Sequence, residues 1–170
     1  MRLSSMADYA VVAMTAAARH CGTSPAPLPG AKRRPPFNAS ILAEETGLPA
    51  PTVQKLVSRL VAAGLLRSTR GAGGGLRLAR PAAAINLAEI IEAVEGPIAL
   101  TACTKGSEGG ESRSDCSLEE ACHVRPHWGV VNAAMRGALA DVPLSRLVRG
   151  VEAAVPPAHA PAAHQLEAAQ

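Results

Sequence analysis

The segment from Asn38 to Arg80, NASILAEETGLPAPTVQKLVSRLVAAGLLRSTRGAGGGLRLAR, constrains the fold more than any other part of this chain. Asn38 is placed to accept hydrogen bonds from the free amides at the start of a helix over residues 39–46, and Gly47 is placed to end it in a left-handed cap. After the GLPAP turn, Pro51 is expected at the first position of a second helix, where its missing N–H costs nothing. Val53, Leu56, Val57, Leu60 and Val61 then recur at helical spacing, so one face is buried, and Gly64 closes the element. The opposite face carries Thr52, Gln54, Lys55, Ser58 and Arg59, side chains that can meet phosphates and base edges in a major groove. A short helix, a tight turn and a second helix with a polar outer face predict a helix-turn-helix.

From Leu65 the pattern alternates around a glycine-rich tip and predicts a two-stranded hairpin, a wing beside the reading helix. Arg67, Arg70, Arg77 and Arg80 flank its glycines, and Arg70 is the side chain expected in a narrow minor groove. The glycines do not form a nucleotide-phosphate loop, because the Lys-Ser/Thr ending and following helix are missing. Next, Asn86 and Glu89 have capping-box spacing, and Ile90, Ile91 and Val94 form a core stripe before Gly96. A first helix is expected from about Ser5 to His20. Its apolar run, Tyr9 to Ala18, reads as a packed helix and not as a secretory signal, since Asp8 stands at its start and Arg2 is the lone preceding cation. No segment reaches the ~18 to 20 apolar residues that span a bilayer. The fold class is therefore mainly α with a small β-hairpin wing, a winged helix-turn-helix over residues 1–98.

Charge sharpens the choice of partner. The net +3 of the 170 residues conceals 11 Lys+Arg against three acids in residues 1–80, or +8, and a balance of −5 in residues 81–170. The first half faces a polyanion, and double-stranded DNA is the expected one, because neutralising phosphates releases counterions. A basic, Pro-rich loop over 22–36 includes Lys32, Arg33 and Arg34, which either follow the phosphate backbone or are simply solvated.

Cys103, Cys116 and Cys122 are spaced C-x12-C-x5-C in a polar segment, residues 99–124. A hydrophobic content of 48% is enough for a core without disulfides, so thiols gathered in one loop suit metal binding in a reducing compartment, the cytoplasm. Three thiolates leave a tetrahedral site one ligand short, and His123 and His127 are nearby, so zinc and an iron-sulfur cluster both remain open at this point. Cys21 is expected to be an inert packed thiol. A thiol enzyme is disfavoured: Cys122 adjoins His123, yet sequence neighbours need not face each other, and no pocket-forming apolar set or small-molecule substrate site accompanies them. Pro126 opens a longer helix whose Trp128, Val131, Met135, Ala138, Leu139 and Val142 form an apolar seam, read as a homodimer contact within residues 125–150. The Pro- and Ala-rich tail, 151–170, is expected to be disordered.

Together, MRLSSMADYAVVAM, LAEETGLPAPTVQKLVSRLVAAGLLRSTRGAGGGLRLARP, IIEAVEGPIALTAC and CHVRPHW resemble the Rrf-two family of winged-helix regulators from Met1 to about Gly150. The branch most resembled is that of the Suf-system regulators of iron-sulfur cluster assembly. The resemblance implies a repressor whose cluster is bound by Cys103, Cys116 and Cys122, with a fourth ligand that differs between branches. In the assembly-regulator branch that ligand is a histidine three residues after the last cysteine; here the position holds Arg125. In the nitric-oxide-sensing branch it is an aspartate near the N-terminus, donated across the dimer to a 4Fe-4S cluster, and Asp8 matches it. Asp8 with 4Fe-4S is therefore favoured; His123 and a 2Fe-2S cluster are the alternatives. The 22–36 loop and the first cysteine interval are longer than the family's usual lengths, and neither departure removes a ligand.

Overall fold

The computed structural model describes residues 3–22, 37–69, 71, 74–101 and 122–149. Six helices and one hairpin are found among them: α1 (Ser5–Gly22), α2 (Ala39–Thr46), α3 (Ala50–Ala62), β1 (Leu66–Thr69), β2 (Gly75–Leu78), α4 (Leu87–Glu95), α5 (Arg125–Ala140) and α6 (Leu144–Val148), with a short 3-10 turn at Ala82–Ala84.

α1 is the axis of the fold. Ala7, Ala10, Ala13, Met14 and Ala17 recur three or four residues apart and are fully buried. Small side chains on that stripe let α2, α3, α4, α6 and β2 approach it from several sides. The run that could imitate a secretory core is thus a packed internal helix. Among the described residues no helix is long and apolar enough to cross a membrane.

α2 begins and ends where its caps predict. Asn38 Oδ1 accepts from the amides of Ser40 and Ile41, both at 3.0 Å, and Gly47 takes φ +69°. α3 starts one residue earlier than expected, at Ala50, so Pro51 stands at the second helical position and not the first. The amides of the whole first turn lack an intrahelical acceptor, so the ring is tolerated at either position. Val53, Leu56 and Leu60 are fully buried, Val57 is half-buried and Val61 is exposed. Gly64, at φ +70°, turns the chain out of α3.

The hairpin pairs antiparallel with Leu66 opposite Leu78, Arg67 opposite Arg77, Ser68 opposite Leu76 and Thr69 opposite Gly75. Leu66, Leu76 and Leu78 share the core-facing side, and Arg67 and Arg77 share the solvent side. The Leu76 amide also donates to the Phe37 carbonyl at 2.6 Å, which ties the wing to the residue before α2.

α4 has a complete capping box: Glu89 N donates to Asn86 Oδ1 at 3.0 Å, and Asn86 N donates to Glu89 Oε2 at 3.1 Å. Ile90, Ile91 and Val94 are buried as the stripe predicts.

The C-terminal region differs from expectation. The long helix stops at Ala140, and residues 141–148, read from sequence as part of the dimerisation region, fold back onto the body. Leu87 N donates to Val142 O at 3.0 Å, Leu144 N donates to Ile85 O at 2.8 Å, and Leu144 is fully buried. Pro143 ends the long helix by disfavouring helical backbone at the residue before it. The basic loop, the wing tip at Arg70, most of the cysteine loop and the tail lie outside the described residues, as does the side chain of Cys21.

Candidate nucleic-acid interface and the stems of the cysteine loop

On α3 the buried residues define a core direction, and Gln54, Lys55 and Ser58 point away from it. Gln54 and Lys55 are exposed, and among the described residues their side chains have no hydrogen bond or ion pair. Ser58 Oγ donates to the Gln54 carbonyl at 2.9 Å, which leaves its lone pairs for an outside donor. Thr52 is half-buried on the flank.

Arg59 lies on the same flank, and its Nη1 donates to the Val94 carbonyl at 2.6 Å. That carbonyl belongs to the last turn of α4, where C=O groups lack intrahelical partners and the helix dipole is negative. The guanidinium expected on DNA therefore caps a neighbouring helix.

The wing's arginines divide in the same way. Arg67 and Arg77 face each other across the strands on the exposed side, with no intramolecular partner among the described residues. Like charges directly opposite destabilise a strand pair, and a bridging anion relieves that repulsion. Arg80, by contrast, donates to Ala84 O at 3.1 Å and to Glu89 Oε1 at 2.7 Å. Burial raises the Glu89 pKa, but the hydrogen bond from Arg80, the Asn86 amide and the charges of Arg80 and Arg136 outweigh it. Its carboxyl is held below the usual value. Arg70 lies outside the described residues.

The cysteine loop is described only at its two ends. Leu100 N donates to the buried Asn132 Oδ1 of α5 at 3.0 Å, so the loop leaves the body beside the helix to which it returns. Cys122, a half-buried free thiol, accepts at its carbonyl from Arg125 N at 3.4 Å as α5 begins. His123 is exposed in the turn between them. Cys103 and Cys116 lie outside the described residues, and no cluster of three metal-ligating side chains occurs among those described.

Asp8 is exposed on the first turn of α1. Capping there is done by Ser4, whose Oγ accepts from Ala7 N at 3.2 Å. Among the described residues the Asp8 carboxylate has no hydrogen bond or ion pair.

The apolar seam expected on α5 is divided between two faces. Trp128, Met135 and Leu139 are half-buried, Leu139 against the core, while Val131 and Ala138 stay exposed beside Val124, Val130 and Ala134. Val130 is 71% exposed and Val124 53% exposed, so this outer stripe has no cover within the described chain.

A helix-turn-helix with a basic two-stranded wing defines a DNA-binding regulator. The family model Rrf2, described as an iron-dependent transcriptional regulator, matches residues 3–150, and the chain belongs to this family. The HTH-type transcriptional regulator IscR of Xenorhabdus nematophila is 33% identical over 152 residues, covering 89% of this chain and 82% of the relative. Among solved structures, the chain is similar to CymR, the global cysteine regulator of B. subtilis, at TM-score 0.60 and 26% identity, with 88% of this chain and 97% of that one covered. It is similar also to T. potens IscR, at TM-score 0.56 and 26% identity, with 88% and 87% covered. The protein is a transcriptional regulator and not an enzyme.

Proposed function

We propose that this chain acts as a cytoplasmic homodimer that binds an operator in double-stranded DNA and represses iron-sulfur cluster assembly genes of the Suf type, in response to a bound iron-sulfur cluster. The observation that carries the DNA half is the uncommitted polar surface: Gln54 and Lys55 on α3, with Arg67 opposite Arg77 on the wing, are exposed and lack intramolecular partners among the described residues. In this reading Thr52, Gln54, Lys55 and Ser58 contact the major groove, Arg70 enters the minor groove, and Arg67 and Arg77 hold phosphates. Arg59 orients α3 by its bond to α4.

The donor chemistry fits a cluster. Cys122 is a free thiol at the start of α5, the Leu100–Asn132 bond holds the other stem of the loop on that helix, and the Asp8 carboxylate is uncommitted. Cys103, Cys116, Cys122 and Asp8 would hold a 4Fe-4S cluster, Asp8 coming from the partner across the dimer. A bound cluster would supply a redox-sensitive, displaceable crosslink, more labile with a carboxylate ligand than with thiolates alone. The exposed outer stripe of α5 is the surface that a second copy covers, which sets the spacing of two reading helices on a two-fold operator.

Anaerobic purification followed by absorption, iron and sulfide analysis tests the reading, together with operator binding of loaded and metal-free protein. Brown protein whose operator affinity changes when the cluster is removed supports it. Colourless protein carrying zinc replaces it with a zinc-stabilised regulator. Full cluster content in Asp8→Ala, with loss in His123→Ala, moves the fourth ligand to His123.

A further inference from the structure

Within one turn at the end of α4, contacts from three other helices converge. Glu92 accepts from Arg136 of α5 through Nε at 2.9 Å and Nη2 at 3.2 Å, the Val94 carbonyl accepts from Arg59 of α3 at 2.6 Å, and Glu95 accepts from Ser4 at the start of α1. α5 carries the stems of the cysteine loop, and α3 carries the reading face.

A two-point Arg–carboxylate contact fixes direction as well as distance, unlike apolar contacts, which can slide. The Glu92–Arg136 pair is half exposed, with side-chain exposures of 23% and 51%, so its weight in overall stability is small. Its value lies in register: α5 cannot shift along α4 without breaking the pair or dragging the last turn with it. That turn holds the carbonyl gripped by Arg59, so its tilt is passed to α3.

We propose that Arg136, Glu92 and Arg59 are positioning residues that transmit the placement of α5, through the last turn of α4, to the reading helix. The proposal rests on the functional reading above only for what moves α5. The mechanical link is a property of the metal-free chain, so part of its test needs no cluster.

Hydrogen exchange of the metal-free protein provides that part, comparing wild type with Arg136→Gln, Glu92→Gln and the swapped double variant Arg136→Glu/Glu92→Arg. Each single variant is expected to speed exchange in α3, around Leu56 to Leu60, by about five-fold or more, a size typical of coupled sites, and the swap is expected to restore it. Changes confined to α4 and α5 would overturn the link. A second measurement takes the ratio of operator affinities between cluster-loaded and metal-free protein. Arg59→Gln, loaded with the same iron and sulfide content, should bring that ratio close to one, and an unaltered ratio would also overturn the link. If wild type itself gives equal affinities in the two states, the functional reading fails while the exchange experiment still decides the mechanical link.

Discussion

The outer side of α3 and the wing, and the framework behind them, use cations in opposite ways. On the outer side of α3 and the wing, Lys55, Arg67 and Arg77 are exposed without intramolecular partners among the described residues. Behind them Arg59 holds the Val94 carbonyl, Arg80 holds Glu89 and Arg136 holds Glu92. A cation that already holds a partner within the fold gains less from a phosphate, because it must give up or share that contact. One left facing a like charge gains both the new contact and relief from repulsion. Sequence charge places Lys55, Arg59, Arg67, Arg77 and Arg80 alike in the basic first 80 residues; only their partners separate uncommitted cations from braces.

The largest expected effect lies in the framework. Leu144→Ala, which empties a fully buried site where the chain returns to the core, should cost about 2–5 kcal/mol in denaturant unfolding. A loss within a few tenths of zero would mean that α6 is not part of the folded body.

The reading surface comes next. Replacing both Arg67 and Arg77 by Thr should reduce the slope of log affinity against log salt by about 1.8, two phosphate contacts at ~0.9 each. The unbound variant should at the same time be more stable, by up to about 1 kcal/mol, because a cross-strand repulsion is removed. Weaker binding with an unchanged slope would break the distinction drawn between the two arginine classes.

Arg59→Ala sharpens it from the other side. Loss of the α4 cap should lower stability by about 1 kcal/mol and weaken operator binding while leaving the salt slope unchanged. A fall in slope by about one would return Arg59 to the phosphate contacts.

Glu89→Gln is the smallest change, since glutamine can keep the capping box and removes only the charge. The Glu89 carboxyl is held below its ordinary value in the folded state, so its stabilisation is present above the unfolded pKa. It is lost as pH falls through the folded one. Wild type should therefore melt above the variant at neutral pH, and the two curves should converge in acid; a gap that persists at low pH would show that the charge is not what stabilises.

Where local chemistry decides structure, the sequence was legible. Asn38 and Gly47 bound α2 as expected, Asn86 and Glu89 form their capping box, and the α4 stripe and Val53, Leu56 and Leu60 of the α3 stripe face inward. Each of these rests on groups within about one helical turn of each other, so the spacing carries the geometry. The start of α3 was displaced by one residue, which is tolerated because the amides throughout a first turn lack intrahelical acceptors, so Pro51 leaves none of them newly unpaired.

Illegible features depend on what packs across. Asn132 looks like any polar residue in a helix, yet it is buried and holds the Leu100 amide. Arg59 looks like one more cation on a reading helix, and its partner lies 35 residues away. The seam of α5 reads as one stripe, but Leu139 packs against the core while Val131 and Ala138 stay exposed.

Periodicity, caps and turn glycines, all of them short-range, were sufficient to specify a winged helix-turn-helix. Tertiary packing alone decided which cations stay available, where α5 remains uncovered, and that residues 141–148 fold back to complete the core. The reason is physical: helix and strand propensities are set by neighbours along the chain, whereas a side chain's partner is set by whichever element the core brings to its face.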